Sequence, residues 1–183
     1  MSANILNGKE IAQDIFEEVY LKVFELKKSG WQPMLLSIKV GENPAVDLYI
    51  RNQRKKAEQV GIVFEEKQFP EDISLNVLLA AIASFNVDPK VTGIILQRPV
   101  SKNIPIKSLQ KAIHPLKDVE GMHPASIGDI VYNELELGPC TAMASVELLR
   151  RTGKDLKGLE VVVIGHSEIV GKPIAFLLMA EGA

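Results

Sequence analysis

Apolar positions near the start of the chain recur with the period of a helix. They lie three or four residues apart between Asn7 and Gly30, at Ile11, Ile15, Val19, Val23 and Leu26. This spacing predicts an amphipathic helix. Asn7 can cap its start, and Gly30 can end it because glycine adopts the left-handed conformation at little cost.

Short apolar runs and longer amphipathic segments then alternate along the chain. The runs at 34–40, 62–68 and 93–97 predict strands. The segments at 45–60 and 74–85 predict helices between them. Strands separated by helices of this length pair in parallel through right-handed crossovers. The pattern therefore predicts an α/β fold, with a parallel sheet in a three-layer N-terminal domain.

Another α/β pattern follows the first. A predicted helix at 141–151 precedes an apolar run at 160–164, which predicts a strand and leads into a glycine-bounded loop and a last helix. The stretch at 115–140 is rich in glycine and proline and is predicted to be irregular, which makes it a place to look for site residues. We therefore predict an α/β domain over 1–140 and, over 141–183, a linker helix and the first βα unit of an incomplete Rossmann-like domain. A lone strand in that unit lacks a pairing partner.

The composition is that of an ordinary globular protein, and it disfavours some classes of binding partner. Of 183 residues, 46% are hydrophobic and 24% are charged, while a formal net charge of -2 creates no overall field for nucleic acid or anionic lipid. The single cysteine, Cys140, excludes an internal disulfide and a zinc site built from cysteines. No apolar run reaches the length of a signal peptide or a membrane span. We expect a soluble, cytoplasmic protein with no metal, nucleic-acid partner or membrane partner.

The segment that begins at Gly165 has the pattern of a dinucleotide loop. An apolar run delivers the chain to this glycine, and Gly171 opens a helix whose N–H groups and dipole can hold a pyrophosphate. The residues expected to contact the dinucleotide are Gly165, His166, Ser167, Val170 and Gly171. The spacing departs from G-x-G-x-x-G, so a plain connection from strand to helix, with no ligand, is the alternative.

Polar residues at three further places suggest a ligand site. Tyr49 and Gln53 lie four apart on a predicted helix and share a face, although an aromatic core anchor beside solvated polar residues is an alternative for this pair. Gln97 stands at the carboxyl end of a buried strand, where open α/β sheets place ligand contacts. Asp118 and Glu120 put two carboxylates on one rim, either for the N–H groups of a heterocycle or simply to cap a turn.

Several segments, taken together and in order, resemble the bifunctional methylenetetrahydrofolate dehydrogenase/methenyltetrahydrofolate cyclohydrolase family. They are Val40-Gly-Glu-Asn-Pro-Ala with Tyr49, Gly93-Ile-Ile-Leu-Gln-x-Pro99, Asp118-Val-Glu-Gly with His123-Pro124, Gly138-Pro-Cys-Thr141 and Gly165-x-Ser-x-Ile-Val-Gly-Lys-Pro173. The resemblance implies that a tetrahydrofolate derivative is the substrate, that NADP or NAD takes a hydride from its methylene bridge, and that water then opens the methenyl cation. It also implies a homodimer. Family members continue beyond the equivalent of Ala183, so the chain resembles a C-terminally truncated member.

The resemblance also implies roles for single residues. Tyr49 and Gln97 match the family's catalytic tyrosine and glutamine, and Gln53 stands where the family has its catalytic lysine. Glu120 matches the second carboxylate of an Asp-x-Asp-Gly motif, which receives the pterin ring. The implied substrate-binding residues are Tyr49, Gln97, Pro99, Asp118 and Glu120.

Two substitutions fall at the chemistry itself. The amide of Gln53 cannot ionise or deliver a proton, whereas a lysine can. Glu120 moves the family's carboxylate outward by one methylene, and a misplacement of about 1 Å can cost on the order of 100-fold in rate. We therefore expect the dehydrogenase reaction, with a weak or absent cyclohydrolase. The alternatives are a folate- or nucleotide-binding relative with impaired catalysis, and a fragment of the enzyme.

Overall fold

The computed structural model describes residues 5–135 and 137–183. Residues 1–4 and Glu136, which belong to the predicted domain 1–140, lie outside the described residues. The strands are β1 (Met34–Val40), β2 (Val63–Phe69) and β3 (Gly93–Leu96). The helices are α1 (Gly8–Lys28), α2 (Pro44–Gln59), α3 (Leu75–Val87), α4 (Ile106–Ala112), α5 (Pro124–Tyr132), α6 (Cys140–Arg150) and α7 (Gly171–Ala180). A single 3-10 turn occupies Pro115–Lys117 in this part of the chain.

The three strands found in the described residues form one parallel sheet, in the order β2-β1-β3. In its register, Leu35 of β1 lies opposite Phe64 of β2 and Gly93 of β3. Helices α2 and α3 connect successive strands, as parallel pairing requires. The predicted α/β fold with a parallel sheet is confirmed, and each of these strands lies within one residue of its predicted bounds.

Successive side chains of each strand point to opposite faces of the sheet, so both faces carry apolar side chains. Helices cover both faces. One face packs on α3 and α4 through a buried cluster that includes Ile38, Leu78 and Leu109. The other face packs on α2 through a cluster that includes Ile50 and Ile95. This is the predicted three-layer arrangement, and it places α2 directly over the face on which the site is found.

A polar cap sets the start of α2. Oδ1 of Asn43 accepts a hydrogen bond from the N–H of Ala45 at 3.0 Å. Pro44 occupies the first turn of the helix, where a missing N–H costs nothing. Because the cap follows β1 after a short turn, the first turn of α2 lies beside the carboxyl end of that strand.

The prediction that residues 115–140 are irregular is wrong for 124–132, which form α5. Nδ1 of His123 accepts a hydrogen bond from the N–H of Ala125 at 3.0 Å, and Pro124 occupies the first turn. Proline favours the first position of a helix as well as a turn, so its presence here marks a helix start.

The prediction of a strand at 160–164 is also wrong. The segment is neither helix nor strand, and its side chains at Val162 and Ile164 are 86% and 98% exposed. A strand needs a neighbour to satisfy its backbone N–H and C=O groups, and no described residue pairs with this segment as a strand. The predicted βα unit is therefore present here only as a loop followed by α7.

The described residues fall into two units. One runs from Ile15 to Val119 and contains the sheet. The other contains the residues before Ile15 together with Glu120–Ala183, and its apolar cluster is built on α5, α6 and α7. The division into domains 1–140 and 141–183 stays a prediction. No helix in the described ranges is long and apolar enough to cross a membrane.

Candidate active site

Gln97 follows β3 directly and ties this strand to β1 and α2. Its backbone N–H donates to the carbonyl oxygen of Ile38 at 2.9 Å. Its side chain is 4% exposed, and Nε2 donates to Oγ of Ser37 at 2.9 Å and to Oε1 of Gln53 at 2.7 Å. Two of the predicted catalytic residues are therefore in direct contact, at the carboxyl end of a parallel sheet where ligand sites concentrate.

The buried stripe of α2 explains why Gln53 reaches the sheet. Ile50 and Ala57 are buried against it, and Gln53 lies between them at helical spacing, three residues after one and four before the other. Gln53 is half-buried. The stripe therefore carries one polar side chain in line with its apolar ones, and that side chain meets Gln97.

Tyr49 lies one turn before Gln53 on the same flank of α2, and its side chain is 60% exposed. The alternative of an aromatic core anchor is wrong, because an anchor would be buried. An exposed ring beside the amides of Gln53 and Gln97 can cover one face of a flat ligand that reaches those amides.

Asp118 is buried beside β3. Its backbone forms an isolated parallel bridge with Ile94, and the neighbouring Val119 packs so closely on Gly93 that a side chain there would overlap it. Ile94 precedes Gln97 by three residues, which corresponds to roughly 10 Å along a strand. The backbone of Asp118 thus lies beside the sheet, further from its carboxyl end than Gln97.

Pro99 lies on the exposed rim just past Gln97, and the Arg98–Pro99 peptide bond is cis. The chain turns here as it leaves β3. Pro99 can therefore meet a ligand at the edge of the site through its apolar ring or its carbonyl oxygen, but proline has no backbone N–H to donate.

Glu120 begins the second unit and is half-buried. The next residue, Gly121, has φ +61° and lies against Gly138, where a Cβ on Gly121 would overlap the partner's backbone. Two glycine-containing motifs of the sequence thus pack backbone to backbone. This contact anchors the segment that carries Glu120.

The loop before α7 is organised by Ser167. Its Oγ accepts hydrogen bonds from the N–H of Val170 at 3.1 Å and of Gly171 at 3.4 Å, and its carbonyl oxygen accepts from Lys172 at 3.0 Å. These N–H groups belong to the helix start that the sequence assigns to a pyrophosphate. In the structure they hold the loop in shape.

The residues of this loop differ in whether a dinucleotide could contact them. Gly165, His166 and Ser167 are exposed, so a ligand can reach them. Gly171 is buried, and a Cβ on it would overlap the carbonyl oxygen of Gly165. The first three can contact a bound dinucleotide, while Val170 and Gly171 shape the turn that presents them.

Two buried polar residues of β1 were not identified from the sequence, Ser37 and Lys39. The signal that could have found them is a serine and a lysine inside an otherwise apolar strand. The ammonium of Lys39, whose side chain is 6% exposed, is ion-paired with Asp47 of α2. Ser37 belongs to the site through its bond to Gln97.

Two lysines near position 53, Lys39 of β1 and Lys56 of α2, have partners of their own. Lys39 is ion-paired with Asp47 of α2. Asp47 lies seven residues before Arg54 and therefore on the same flank of this helix. Arg54 donates a hydrogen bond to the carbonyl oxygen of Phe64 in β2. Nζ of Lys56 lies 4.6 Å from the ring centre of Phe16 in α1. Both ammonium groups therefore have partners other than Gln53 and Gln97.

An open cavity of about 520 Å³ lies at the carboxyl ends of β1 and β2. Its lining residues are Gly41, Glu42, Gln68, Phe69, Pro70 and Glu71. None of them is a predicted site residue, and none is a hydrogen-bond partner of Gln97.

Comparison with known proteins decides the family. The model of the tetrahydrofolate dehydrogenase/cyclohydrolase catalytic domain matches residues 6–120, and that of the same family's NAD(P)-binding domain matches residues 139–183. This chain belongs to the tetrahydrofolate dehydrogenase/cyclohydrolase family. The family named from the sequence motifs is confirmed.

Several members of this family are closely similar to the chain. The bifunctional protein FolD 2 of Mesorhizobium japonicum is 64% identical over 97% of this chain and 58% of its own length. The crystal structure of the bifunctional enzyme FolD from Campylobacter jejuni has a TM-score of 0.95 at 37% identity, covering 100% of this chain and 65% of that one. The Trypanosoma brucei FolD structure, a complex with NADP and an inhibitor, has a TM-score of 0.92 at 30% identity, covering 100% of this chain and 63% of that one.

The chain spans about three fifths of the length of the curated relatives it matches. One family model covers the sheet, and the other covers α6, the glycine loop and α7.

Proposed function

We propose that this protein oxidises 5,10-methylenetetrahydrofolate to methenyltetrahydrofolate with NADP or NAD, and that its cyclohydrolase step is weak or absent. The proposal of a weak or absent cyclohydrolase rests on a single observation. Gln97 donates a hydrogen bond to Gln53, which stands at the position where the family has a lysine. Family membership supports the proposed dehydrogenase activity.

Substrate binding is assigned to the carboxyl end of the sheet. The exposed ring of Tyr49 covers the pterin, and Gln97 meets its reacting end. Pro99 closes the rim, while Asp118 and Glu120 serve the N–H groups of the pterin. The exposure of Tyr49 and the burial of Gln97 support this division, since one residue stacks and the other forms hydrogen bonds.

The oxidation survives the loss of the lysine because it depends mainly on position. When bound, the nicotinamide of NADP or NAD supplies the hydride acceptor. The protein's part is to hold the folate at near-attack distance and to exclude water, which can supply roughly 7–11 kcal/mol of the barrier. Gln97 is suited to this because its side chain is fixed from two sides.

The hydrolysis depends on proton transfer as well as position. A general acid or base at the attacking water typically contributes 10²–10⁴-fold. The amide of Gln53 can hold a water by hydrogen bonds but cannot exchange a proton with it. Since Lys39 and Lys56 have other partners, we expect this contribution to be missing.

The dinucleotide is assigned to the loop that ends at α7. Gly165, His166 and Ser167 contact it, and Val170 and Gly171 hold the loop in the shape required. The match of residues 139–183 to the family's NAD(P)-binding domain supports this assignment. We also infer a homodimer and a cytoplasmic location. The family resemblance supports the first, and the presence of only one cysteine supports the second.

The test compares both activities in the longest protein that the gene encodes, in the wild type and in Gln53→Lys. We expect wild-type dehydrogenase activity with little hydrolysis of the methenyl form, and a gain in hydrolysis of about 10²-fold in the variant. Asn52→Lys is the matched control, because it adds a lysine on the exposed face of the same helix.

Two outcomes contradict the proposal. Fast hydrolysis by the wild type shows that the proton is handled by another group. An absence of dehydrogenase activity in a protein that still binds folate supports the alternative, a relative with impaired catalysis.

A further inference from the structure

Lys39 places a buried cation at the carboxyl end of the sheet. Ile38 of β1 pairs with Leu96 of β3, and the backbone N–H of Gln97 donates to the carbonyl oxygen of Ile38. Lys39 follows Ile38 as Gln97 follows Leu96, so these two residues are level with each other on neighbouring strands. The backbones of neighbouring strands are about 4.8 Å apart. Lys39 is therefore a direct neighbour of a predicted catalytic residue.

The side chain of Lys39 lies on the face of the sheet that carries the site. Side chains two residues apart in a strand share a face, so Lys39 lies on the same side as Ser37. On that side Ser37 meets the side chain of Gln97, and Lys39 is ion-paired with Asp47 in the first turn of α2. The ammonium therefore lies between β1 and α2, as the contact between Gln97 and Gln53 lies between β3 and α2.

The ammonium of Lys39 has hydrogen-bonding capacity beyond its ion pair. It carries three N–H groups and cannot accept a hydrogen bond. Within the part of the chain that the structure describes, Asp47 is its one hydrogen-bond partner. Two N–H groups therefore remain for a ligand, whichever way the nearby amides of Gln53 and Gln97 are turned. A charged donor of this kind suits a carbonyl oxygen.

We infer that the ammonium of Lys39 donates a hydrogen bond to the carbonyl oxygen of the pterin ring. Lys39 is then a further substrate-binding residue, and it selects a ring that carries an oxygen at this place. The inference rests on the proposed function for the identity of the ligand. The carboxylate of Asp47 offsets the charge of the ammonium, so the donor does not oppose the positive charge that removal of a hydride leaves on the one-carbon unit.

The covalent structure of the pterin puts its carbonyl oxygen beside the reacting end. The carbonyl carbon is bonded to a ring-fusion carbon, and that carbon is bonded to one of the two nitrogens that hold the one-carbon unit. A donor level with Gln97, which the proposed function sets at the reacting end, is therefore well placed for this oxygen. The N–H groups of the ring are assigned to Asp118 and Glu120. An ionised carboxylate only accepts hydrogen bonds, so the carbonyl oxygen needs a donor such as Lys39.

The experiment compares two ligands in the longest protein that the gene encodes, by calorimetry without dinucleotide. One is tetrahydrofolate, and the other is 4-amino-4-deoxytetrahydrofolate, in which an amino group replaces the carbonyl oxygen. We expect the wild type to prefer tetrahydrofolate, and Lys39→Met to reduce the ratio of the two affinities by about 10-fold or more, as for loss of a hydrogen bond to a charged group. The tail and the other ring contacts are common to both proteins, so their contributions cancel between the two ratios.

Two further variants separate hydrogen bonding from charge and from folding. Lys39→Gln keeps an N–H donor without the charge, so its ratio should lie between those of the wild type and Lys39→Met. Lys56→Met is the matched control, because it removes an ammonium of α2 that lies over Phe16, and it should leave the ratio unchanged. Far-UV circular dichroism checks that each variant is folded, and the glutamine variant carries the test if the methionine variant is not. A purely structural role for Lys39 would lower both affinities and leave their ratio unchanged.

The outcomes separate the inference from the proposed function. If tetrahydrofolate does not bind the wild type, both are overturned. If it binds, and the ratio is the same with lysine, glutamine and methionine at position 39, the inference alone is overturned. An equal fall in Lys56→Met also overturns it, because the effect then comes from the loss of any nearby charge. A ratio that falls from lysine through glutamine to methionine, with no change in Lys56→Met, supports it.

Discussion

Gly171, the first residue of α7, lies directly against the carbonyl oxygen of Gly165. A Cβ on Gly171 would overlap that oxygen and lie 2.7 Å from the carbonyl carbon. Gly165 itself has φ +118°, a conformation that residues with side chains rarely adopt. The loop between them can close only because both positions are glycine, so its shape is set before any dinucleotide arrives.

Replacing Gly171 by alanine should therefore open the loop. We expect the affinity for NADP and NAD to fall by at least about 10-fold, and the free energy of unfolding to fall by about 1–3 kcal/mol, as for other overpacked positions. Calorimetry and urea denaturation measure the two effects. Gly128→Ala is the matched control, because Gly128 lies inside α5 with open space around its Cα, and alanine there should raise stability by up to about 1 kcal/mol. If Gly171→Ala binds the dinucleotide with unchanged affinity, the shape of this loop does not contribute to dinucleotide binding.

Gly121→Ala should be among the most destabilising substitutions in the second unit. A Cβ at Gly121 would overlap the backbone of Gly138, and φ at this position is +61°. We expect the free energy of unfolding to fall by more than about 2 kcal/mol. Gly153→Ala provides the comparison, since Gly153 has a similar φ of +72° but open space around it, and it should lose only about 1 kcal/mol. Equal losses in the two variants would mean that packing on Gly138 contributes nothing.

The ion pair between Lys39 and Asp47 should respond unequally to the loss of either partner. The side chain of Lys39 is 6% exposed and that of Asp47 is 38% exposed. Asp47→Ala leaves an ammonium buried without its carboxylate, so we expect a loss of about 2–4 kcal/mol in the free energy of unfolding. Lys39→Met leaves a carboxylate that can turn to water, so its loss should be under about 1 kcal/mol. Chemical denaturation of both variants and of the double variant tests the asymmetry, and a larger loss in Lys39→Met would contradict it.

The 183-residue chain should associate through residues 160–164. This segment exposes Val162 and Ile164, and its backbone groups are unpaired with any described strand, so it can pair with another chain. Replacing both side chains by lysine should reduce the apparent mass in static light scattering toward that of the inferred homodimer. Val87→Lys, at a position that is 81% exposed in the other unit, is the matched control and should have no effect. A monomeric wild type with a sharp cooperative melt would count against this expectation.

The strands of the sheet could be predicted because each is marked locally. Residues 34–40 form an apolar run between Pro33 and Gly41, and β1 has these same bounds. The run at 160–164 looks equally good in the sequence, yet it forms no strand. The difference is the presence of neighbours, because a strand is stable only when other strands satisfy its backbone, and no local pattern reports whether they are there.

The site could be predicted as a set of residues but not as an arrangement. The place of Gln97 after a strand and the spacing of Gln53 from Tyr49 predict these two residues, whereas Ser37 looks like part of an apolar run. The bond from Gln97 to Ser37 joins residues 60 apart in the chain, and that to Gln53 joins residues 44 apart. Such contacts depend on how the helix is laid over the sheet.

The amino-acid sequence by itself determined the order and type of the elements of the sheet, the glycine loop, the family, and the replacement of a lysine by Gln53. These follow from short-range physical preferences and from motifs whose residues are close together in the chain. Only the tertiary structure decided that Asp47 and Phe16 hold the nearby lysines, that Ser167 uses the first N–H groups of α7, and that Gln53 accepts a hydrogen bond from Gln97. The reason is that each polar group pairs with whichever partner the packing of helices on the sheet brings within hydrogen-bond distance.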